Sequence, residues 1–287
     1  MRSASFERIN NKQVFYIFSE PDNAQKKIVI MSHGFRGNSV GPARTFVDFE
    51  HLLLLEDFSV LRFDQPHSGN SEGDYLDSSF NEWVKTISYF AGKYLDLGYQ
   101  VVLMGQSMGA TATMVTAGQE QFKNRIPCVI LWVPDAKTDI QVDSEKTYEE
   151  AGQKYKGKFW TEAKDANFFG ALDSYSGGIH LVYGEHDKYV SQKLREQTIE
   201  KVKAKGQPYM VLPGQDHSPW DFDLAQQVYK EELAFLDKYV KVDKFYQCPI
   251  CKLHYKDKAW AEKCESWCKA HNSCNIAITA HSEERKK

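Results

Sequence analysis

The sequence predicts an α/β protein whose central β-sheet is doubly wound and mostly parallel, followed by a small cysteine-rich module. Short apolar runs alternate with helix-compatible segments through most of the chain, which is the pattern of such a sheet. The run Cys128 to Val133 is nearly all apolar, as is typical of a parallel strand covered on both faces. Five of the six cysteines lie between Cys248 and Cys274, which indicates a separate module. We therefore expect one domain over residues 1–242 and a second over residues 243–287.

The first half of the expected sheet can be followed element by element. Strands are expected at Val14 to Ser19 and at Ile28 to Ser32, separated by turn formers. The elements that follow are a helix over 42–56 with apolar residues at helical spacing, a strand over 59–63, a loop over 64–74 rich in turn formers, and a helix over 78–97 that Ser79 and Glu82 would cap.

The segment from Val101 to Ala117 carries the strongest functional signal. An apolar run ends in Gly105-Gln106-Ser107-Met108-Gly109, and small residues follow in a helix-compatible segment. Strand, sharp turn and helix in this order form a nucleophile elbow, in which a serine hydroxyl is exposed at a strained turn. Glycines flank the serine because side chains there would collide with the strand and helix that meet at the turn. The bare pattern also occurs in ordinary tight turns, so the rest of the chain must supply catalytic partners.

The second half of the chain resumes the alternation after one interruption. Residues 135–176 are polar and irregular but carry seven aromatic residues. We expect this insertion to form a short cap over an apolar pocket, with plain packing as the alternative. The remaining elements are a strand over 179–183, a helix over 191–205, a strand over 209–212 and an amphipathic helix over 224–239.

Three loops at the ends of predicted strands carry Ser107, Asp187 and His217, in that order along the chain. A serine, a histidine and a carboxylate form a nucleophile, base and orienting acid. Asp135 also follows a predicted strand and is the alternative acid. We favour Asp187, because the family resemblance described below implies an acid after the later strand more often than after the earlier one.

Four other residues beside these motifs have simpler interpretations. His186 is a neighbour of the acid whose side chain should point elsewhere, and Asp216 is expected to hold a turn. His33 is interpreted as a structural hydrogen-bonding residue of its loop. His67 is interpreted as a histidine on a surface loop, with a pocket residue as the alternative.

Five motifs point to one family: His33-Gly34-Phe35, Leu61-Arg62-Phe63-Asp64 with Ser68-Gly69-Asn70-Ser71-Glu72-Gly73, Gly105-Gln106-Ser107-Met108-Gly109, Gly184-Glu185-His186-Asp187, and Gly214-Gln215-Asp216-His217. Together they resemble the α/β-hydrolase superfamily from about Phe6 to Tyr239. Within it the chain is most similar to small serine esterases related to cinnamoyl and feruloyl esterases and to the monoacylglycerol-lipase-like group. The chain departs from that pattern at His67, where a glycine is usual.

The resemblance implies an α/β-hydrolase fold and a serine hydrolase that cleaves small carboxylic esters through an acyl-enzyme. Ser107 would be the nucleophile, His217 the base and Asp187 its orienting acid. The amides of Phe35 and Met108 would bind the oxyanion, and no cofactor is expected for catalysis. The alternatives are a thioesterase, amidase or acyltransferase with the same triad, or a non-catalytic binding protein on the same fold.

The composition limits which binding partners and which cellular compartment are expected for the protein. The net charge of −3 and pI near 6.3 give no indication of a nucleic-acid or membrane surface. The first residues lack the apolar run of a secretion signal, and no apolar run is long enough to cross a bilayer. We therefore expect a cytoplasmic protein that acts on a small-molecule ester.

The cysteines near the end of the chain have the spacing of a metal site. Cys248 and Cys251 are followed after twelve residues by Cys264, and then by Cys268. This spacing resembles that of a two-cysteine, two-histidine zinc finger with cysteine at all four positions. It predicts a hairpin carrying the first pair, packed on a helix from about Lys258 to Ala270 on which the second pair is one turn apart.

Zinc is the expected metal, and disulfides or free thiols are the alternative. A reducing cytosol favours metal over disulfides. His271 and Cys274 follow closely and could replace a ligand or bind a second ion. Residues 240–287 contain ten Lys/Arg and six Asp/Glu, which is too weak a basic bias to indicate nucleic-acid binding. A structural or sensing role, or the docking of a protein partner, is expected instead.

Overall fold

An eight-stranded β-sheet organises the first part of the protein, in a computed structural model that describes residues 1–240 and 245–285. The chain divides into two units, Met1–Val240 and Lys241–Lys287. The strands of the first unit are β1 (Arg2–Ile9), β2 (Lys12–Ser19), β3 (Lys27–Ser32), β4 (Ser59–Phe63), β5 (Gln100–Gln106), β6 (Cys128–Trp132), β7 (Thr147–Glu150), β8 (Gln153–Lys156), β9 (Gly178–Gly184) and β10 (Tyr209–Leu212). The α-helices are α1 (Thr45–Leu55), α2 (Phe80–Asp96), α3 (Met108–Ala117), α4 (Lys158–Asp165), α5 (Phe168–Ser174), α6 (Gln192–Ala204) and α7 (Phe222–Tyr239), and short 3-10 helices lie at Pro42–Arg44 and Tyr75–Asp77.

The strand order of the main sheet is β1-β2-β4-β3-β5-β6-β9-β10. From β4 to β10 every neighbouring pair is parallel, whereas β1 with β2 and β2 with β4 are antiparallel. Strands β4, β6 and β9 are buried along their whole length, which explains why their sequences are almost continuously apolar. The predicted α/β fold with a mostly parallel sheet is confirmed.

The edge strand β1 was not expected from the sequence. Most of its side chains are exposed, so it lacks the apolar alternation that marks a half-buried strand. The strand forms by pairing its main chain with β2, from Arg2 opposite Ser19 to Ile9 opposite Lys12. The turn between the strands, Asn10-Asn11, has φ values of 48° and 66°, which asparagine tolerates better than most residues.

The register of the central strands brings the functional loops to one edge of the sheet. Ser32, the last residue of β3, lies opposite Gly105 of β5. Gly105 in turn lies opposite Leu131 near the end of β6. The loops that follow these strands therefore begin at the same level, at the carboxyl ends where open parallel sheets bind their ligands.

The insertion after β6 is more regular than its sequence suggested. It contains the antiparallel hairpin β7–β8 and the helices α4 and α5. Phe159, Trp160 and Phe168 are among its buried aromatic residues. The hairpin turn at Ala151-Gly152 has positive φ at both positions, which produces the tight connection.

The expected surface position of His67 is wrong. The residue is 7% exposed, and its Nε2 lies 2.9 Å from Lys12 Nζ and 2.9 Å from Glu82 Oε2. Its φ is 71°, in the left-handed region that favours glycine. This backbone conformation is consistent with the glycine that is usual at the position in the family that the sequence resembles. The hydrogen bonds of the His67 side chain offset the less favourable backbone conformation.

The second unit is a small hairpin and helix. It contains β11 (Tyr246–Gln247), β12 (His254–Tyr255), α8 (Lys258–His271) and α9 (Ile276–Thr279). Its core comprises Tyr255, Ala261 and the cysteines of the hairpin and of α8. In the described parts of the chain, no helix is both long and apolar enough to cross a membrane.

Candidate active site and metal centre

Ser107 occupies a strained turn between β5 and α3. Its φ of 56° and ψ of −128° are rarely adopted by a residue with a side chain. A Cβ atom at Gly105 would lie 2.4 Å from the carbonyl oxygen of Gly109, and a Cβ at Gly109 would lie 2.3 Å from that of His33. Glycine is therefore required on both sides of Ser107, because the strand, the helix and the preceding loop converge there.

Ser107, His217 and Asp187 are brought together by three separate loops. His217 Nε2 lies 2.8 Å from Ser107 Oγ, and His217 Nδ1 lies 2.7 Å from Asp187 Oδ2. The Asp187 side chain is fully buried. Its other oxygen accepts hydrogen bonds from the backbone N–H groups of Tyr189 and Val190, at 2.8 and 2.9 Å. These bonds leave Oδ2 directed at the imidazole.

Arg195 of α6 holds the loop that carries the acid. Its Nη1 donates to the carbonyl oxygens of Asp187 and Val190, at 2.8 and 2.6 Å, and its Nη2 donates to that of Glu185 at 2.9 Å. This role is not evident from the sequence, because arginine is common on helix surfaces and the contact joins it to main-chain atoms.

The loops of the acid and the histidine are also joined to each other. Asp216 Oδ1 accepts from the N–H of Lys188 at 3.0 Å, and its Oδ2 pairs with Lys188 Nζ at 2.7 Å. The bond from Lys188 lowers the pKa of Asp216 to about 2. Asp216 also accepts from the N–H of His217 at 2.7 Å, as expected of a turn residue. The His186 side chain is 67% exposed and lies outside this arrangement.

The loop after β3 is fixed by His33. Burial lowers the pKa of this histidine, so its ring is neutral. Its Nδ1 lies 2.8 Å from the carbonyl oxygen of Gly34, and its Nε2 accepts from the N–H of Gln65 at 2.9 Å. The structural interpretation of His33 fits these bonds. The next residue in this loop, Phe35, borders the same cavity as Ser107 and Met108.

A cavity of about 430 Å³ opens over Ser107. Met108, which also borders it, is the first residue of α3, where backbone N–H groups lack acceptors within the helix. The insertion contributes both charged and apolar residues to the wall. The lining includes Phe35, Arg36, Pro42, Ser107, Met108, Asp135, Ile140, Glu150, Trp160, Tyr189, Val190 and His217.

Asp135 lies in this cavity but does not occupy the position of the acid, since His217 Nδ1 is bonded to Asp187. Burial raises the pKa of Asp135 to about 6, although Thr138 donates a hydrogen bond to it. The Asp135 carboxyl group therefore borders the cavity without a hydrogen bond to the His217 ring.

Four cysteines form a compact group in the second unit. The Sγ atoms of Cys248, Cys251, Cys264 and Cys268 all lie within 4.8 Å of one another. Tetrahedral zinc with Zn–S bonds of about 2.3 Å needs sulfur atoms about 3.8 Å apart, so the group fits such an ion. For Cys248, burial would raise the pKa, but N–H donors at Cys251 and Ile250 lower it overall, whereas burial raises the pKa of Cys264 and raises that of Cys268 to about 11.

His271 and Cys274 are not part of the compact group. The His271 ring stacks on Trp267 with centroids 3.9 Å apart, and its Nδ1 lies 3.2 Å from the Trp267 carbonyl oxygen. Cys274 is exposed. Among the described residues, this four-cysteine group is the cluster of ligating side chains close enough together to hold a metal ion.

Solved esterase structures share this fold. Est1E from Butyrivibrio proteoclasticus with ferulic acid bound is 20% identical, with a TM-score of 0.72 over 82% of this chain and 99% of its own. The Pyrococcus furiosus esterase Pf2001 is 17% identical, with a TM-score of 0.62 over 84% of this chain and 94% of its own. The esterase domain of a Rhodothermus marinus protein is 16% identical, with a TM-score of 0.64 over 84% of this chain and 100% of its own. A comparison with curated protein sequences gives no match.

The structural likeness and the family match agree on the kind of protein. The chain has the α/β-hydrolase fold and is a serine hydrolase. Residues 68–243, more than half of the chain, match the prolyl oligopeptidase family. The chain therefore belongs to the prolyl oligopeptidase family.

Proposed function

We propose that the protein hydrolyses small carboxylic esters through a covalent acyl-enzyme on Ser107. The observation that carries the proposal is the continuous hydrogen-bonded series from Ser107 Oγ to His217 to Asp187, which opens into the cavity. A serine hydroxyl is a weak nucleophile unless an adjacent base takes its proton, and this geometry supplies the base and its orienting acid.

The proposed reaction follows from the same contacts. His217 Nε2 accepts the hydroxyl proton while Ser107 Oγ attacks the acyl carbon, and the carbonyl π electrons move onto its oxygen. Asp187 fixes the Nδ1–H tautomer and stabilises the imidazolium. As the carbonyl re-forms, the ester C–O bond breaks and the proton on Nε2 passes to the leaving alkoxide. Water then repeats the sequence to release the acid and restore Ser107.

The oxyanion of each tetrahedral intermediate would be bound by the backbone amides of Phe35 and Met108. Both residues border the cavity beside Ser107. An amide at a helix N-terminus also gains from the helix dipole, which favours negative charge. The proposal is supported by the sheet, because Phe35 and Met108 follow β3 and β5, which are neighbouring parallel strands.

The cavity favours a small acyl or aryl group. Its volume of about 430 Å³ is at the lower end of the range for ligand pockets, roughly 300–1,000 Å³. Trp160, Tyr189 and Ile140 give its wall apolar surface. The structure of Est1E contains ferulic acid, an aromatic acid, and its likeness supports the same class here. We infer short-to-medium acyl or aromatic esters as substrates.

The test is a series of p-nitrophenyl esters from acetate to palmitate, run with methyl esters of aromatic acids. Activity should be highest for short and aromatic acyl groups and should be lost in Ser107→Ala, which also should not react with a fluorophosphonate probe. Activity that rises steadily to palmitate would refute the substrate class. Full activity in Ser107→Ala would refute the assignment of the nucleophile.

A peptidase or amidase is the second candidate, because the family match is to prolyl oligopeptidases. The same serine, histidine and acid can cleave an amide, since the leaving amine takes its proton from His217 as an alkoxide does. Peptide p-nitroanilides assayed beside the esters distinguish the two. A kcat/KM for an anilide above that of every ester would favour the peptidase.

The second unit is proposed to bind one structural zinc ion through Cys248, Cys251, Cys264 and Cys268. Zinc would supply the cross-link between hairpin and helix that so small a core cannot supply alone. A reducing compartment such as the cytoplasm would preserve these thiols. Elemental analysis of protein purified without added metal should give about one zinc per chain. Metal-free protein with paired cysteines would contradict this.

A further inference from the structure

The side chain of Phe35 is held by aromatic rings of the insertion. Its ring centroid lies 4.6 Å from that of Phe159, 4.8 Å from Trp160 and 5.0 Å from Tyr155. These distances are those of favourable tilted and edge-to-face pairs. The backbone of the same residue is the proposed oxyanion donor. The position of that donor is therefore coupled to the packing of the insertion.

Phe159 supports the start of the loop that carries this donor at two points, directly at Phe35 and through Trp83 at His33. Besides Phe35, its ring contacts Trp83 of α2 at 4.9 Å, edge to face. Trp83 contacts the ring of His33 at 5.4 Å, and His33 begins the loop. Phe159 and Trp83 are both fully buried. One ring of the insertion thus lies between the side chain of Phe35 and the tryptophan that supports His33.

Helix α4, which carries Phe159, is anchored independently of the substrate cavity. Glu162 of α4 accepts from Ser79 Oγ at 2.6 Å and from the N–H of Asn81 at 3.1 Å, both at the start of α2. Phe159 does not border the cavity over Ser107, whereas the adjacent Trp160 does. A change at Phe159 therefore removes no atom from the wall that substrate would touch, and it reaches that wall only through the rings of Phe35 and Trp160, which pack on Phe159.

We propose that Phe159 is a positioning residue for the oxyanion hole, and that its ring holds the Phe35 amide where it can donate to the developing oxyanion. The inference rests on the proposed function of that amide. A smaller side chain at position 159 leaves space into which the Phe35 ring can move, because buried sites collapse only partly around a deletion. The amide then spends less time in the productive position, and transition-state stabilisation falls while ground-state binding persists.

The experiment compares Phe159→Leu with Phe168→Leu, a matched control. Phe168 is a buried phenylalanine of the same insertion, 1% exposed, whose ring packs on Phe169 at 5.6 Å. Both variants lose the same atoms from a buried site. Thermal melting establishes that each is folded at the assay temperature. We then measure kcat, KM and the inhibition constant of an aryl trifluoromethyl ketone.

The ketone reports on the oxyanion hole directly. Ser107 Oγ adds to its carbonyl carbon, the hydroxyl proton passes to His217, and the carbonyl oxygen becomes an oxyanion. The adduct persists because neither the aryl nor the trifluoromethyl group can leave when the oxyanion would re-form the carbonyl. Losing a whole oxyanion donor costs about 10²–10³ in kcat, so partial displacement in Phe159→Leu should lower kcat about tenfold. Ketone affinity should fall by a similar factor, with KM within about twofold. Phe168→Leu should change neither quantity by more than about twofold.

Equal kcat and equal ketone affinity in the two variants would overturn the inference, as would a loss confined to KM. If Phe159→Leu does not fold, Phe35→Leu tests the same contact from the other side, since it keeps the amide and removes the ring. Wild-type protein that binds the ketone but hydrolyses no ester would refute the proposed substrate class while still testing this inference. Wild-type protein that does not bind the ketone would refute both.

Discussion

Replacing Asp135 by asparagine should stabilise the protein at neutral and alkaline pH. Burial raises the pKa of this carboxyl group from its ordinary 3.8 to about 6. The folded protein therefore holds the proton to higher pH than the unfolded chain does. Stability is lost as the pH rises between these two values, because the unfolded chain ionises freely and the folded one does not. Asparagine cannot ionise, so the variant escapes this loss.

The size of the stability gain follows from the shift in the pKa of Asp135. About two pKa units correspond to about 3 kcal/mol of unfolding free energy once the pH exceeds both values. Linkage gives a penalty of about 1 kcal/mol at about pH 4.5 and about 3 kcal/mol at about pH 8. Since the carboxyl opens to the cavity, water can soften the penalty, and these values are upper figures. The gain from Asp135→Asn should thus grow by up to about 2 kcal/mol between the two pH values.

Urea unfolding at the two pH values measures the gain. The control is Asp237→Asn, at an exposed aspartate of α7. Its effect should stay within about 0.5 kcal/mol at both pH values, as for most surface substitutions. A gain for Asp135→Asn that does not depend on pH, or a loss of stability at pH 8, would refute the reasoning. Either result would mean that the carboxylate has a favourable partner in the folded protein.

Three further predictions concern the site and the metal centre. Asp187→Asn should lower kcat about ten-thousandfold through loss of the correct imidazole tautomer, whereas Asp135→Asn should not; the reverse result would show that the acid is misassigned. Gly109→Ala should abolish activity and lower the yield of folded protein, because its Cβ would lie 2.3 Å from the His33 carbonyl oxygen; a fully active variant would show that the elbow can relax. Cys251→Ser should sharply lower the zinc content by elemental analysis while leaving hydrolysis largely intact; unchanged zinc would exclude this cysteine as a ligand.

The sequence predicted those elements that are determined by residues close to one another along the chain. Glycine spacing around Ser107 predicted the elbow because the steric conflict involves nearby residues and one neighbouring loop. Apolar runs predicted the buried strands because a strand covered on both faces needs apolar side chains at nearly every one of its own positions. Strand β1 escaped prediction because its stability comes from pairing its main chain with β2, and main-chain pairing leaves little trace in side-chain identity.

The contacts that support the site were harder to foresee. Arg195 acts on carbonyl oxygens several residues away, and Phe159 acts through rings contributed by two other elements. The burial of His67 depends on Lys12 and Glu82, which are distant in sequence. The partners of Phe159 and His67 become neighbours only once the sheet and the insertion are assembled, whereas Arg195 was missed because it bonds to main-chain atoms. A single sequence carries their residue types but not their proximity.

The strained backbone of Ser107 must be held by rigid surroundings, and these lie beneath it in β6. The N–H of Ser107 donates to the carbonyl oxygen of Trp132 at 2.8 Å. The indole N–H of Trp132 donates to the buried Glu232 of α7 at 2.8 Å, and its ring packs on Trp220 and Tyr229. A sparsely populated conformation costs about 1–3 kcal/mol and persists only when its neighbours cannot move to relieve it. The packing of Trp132 meets that condition, because any shift of its carbonyl would disturb a buried carboxylate and two aromatic rings.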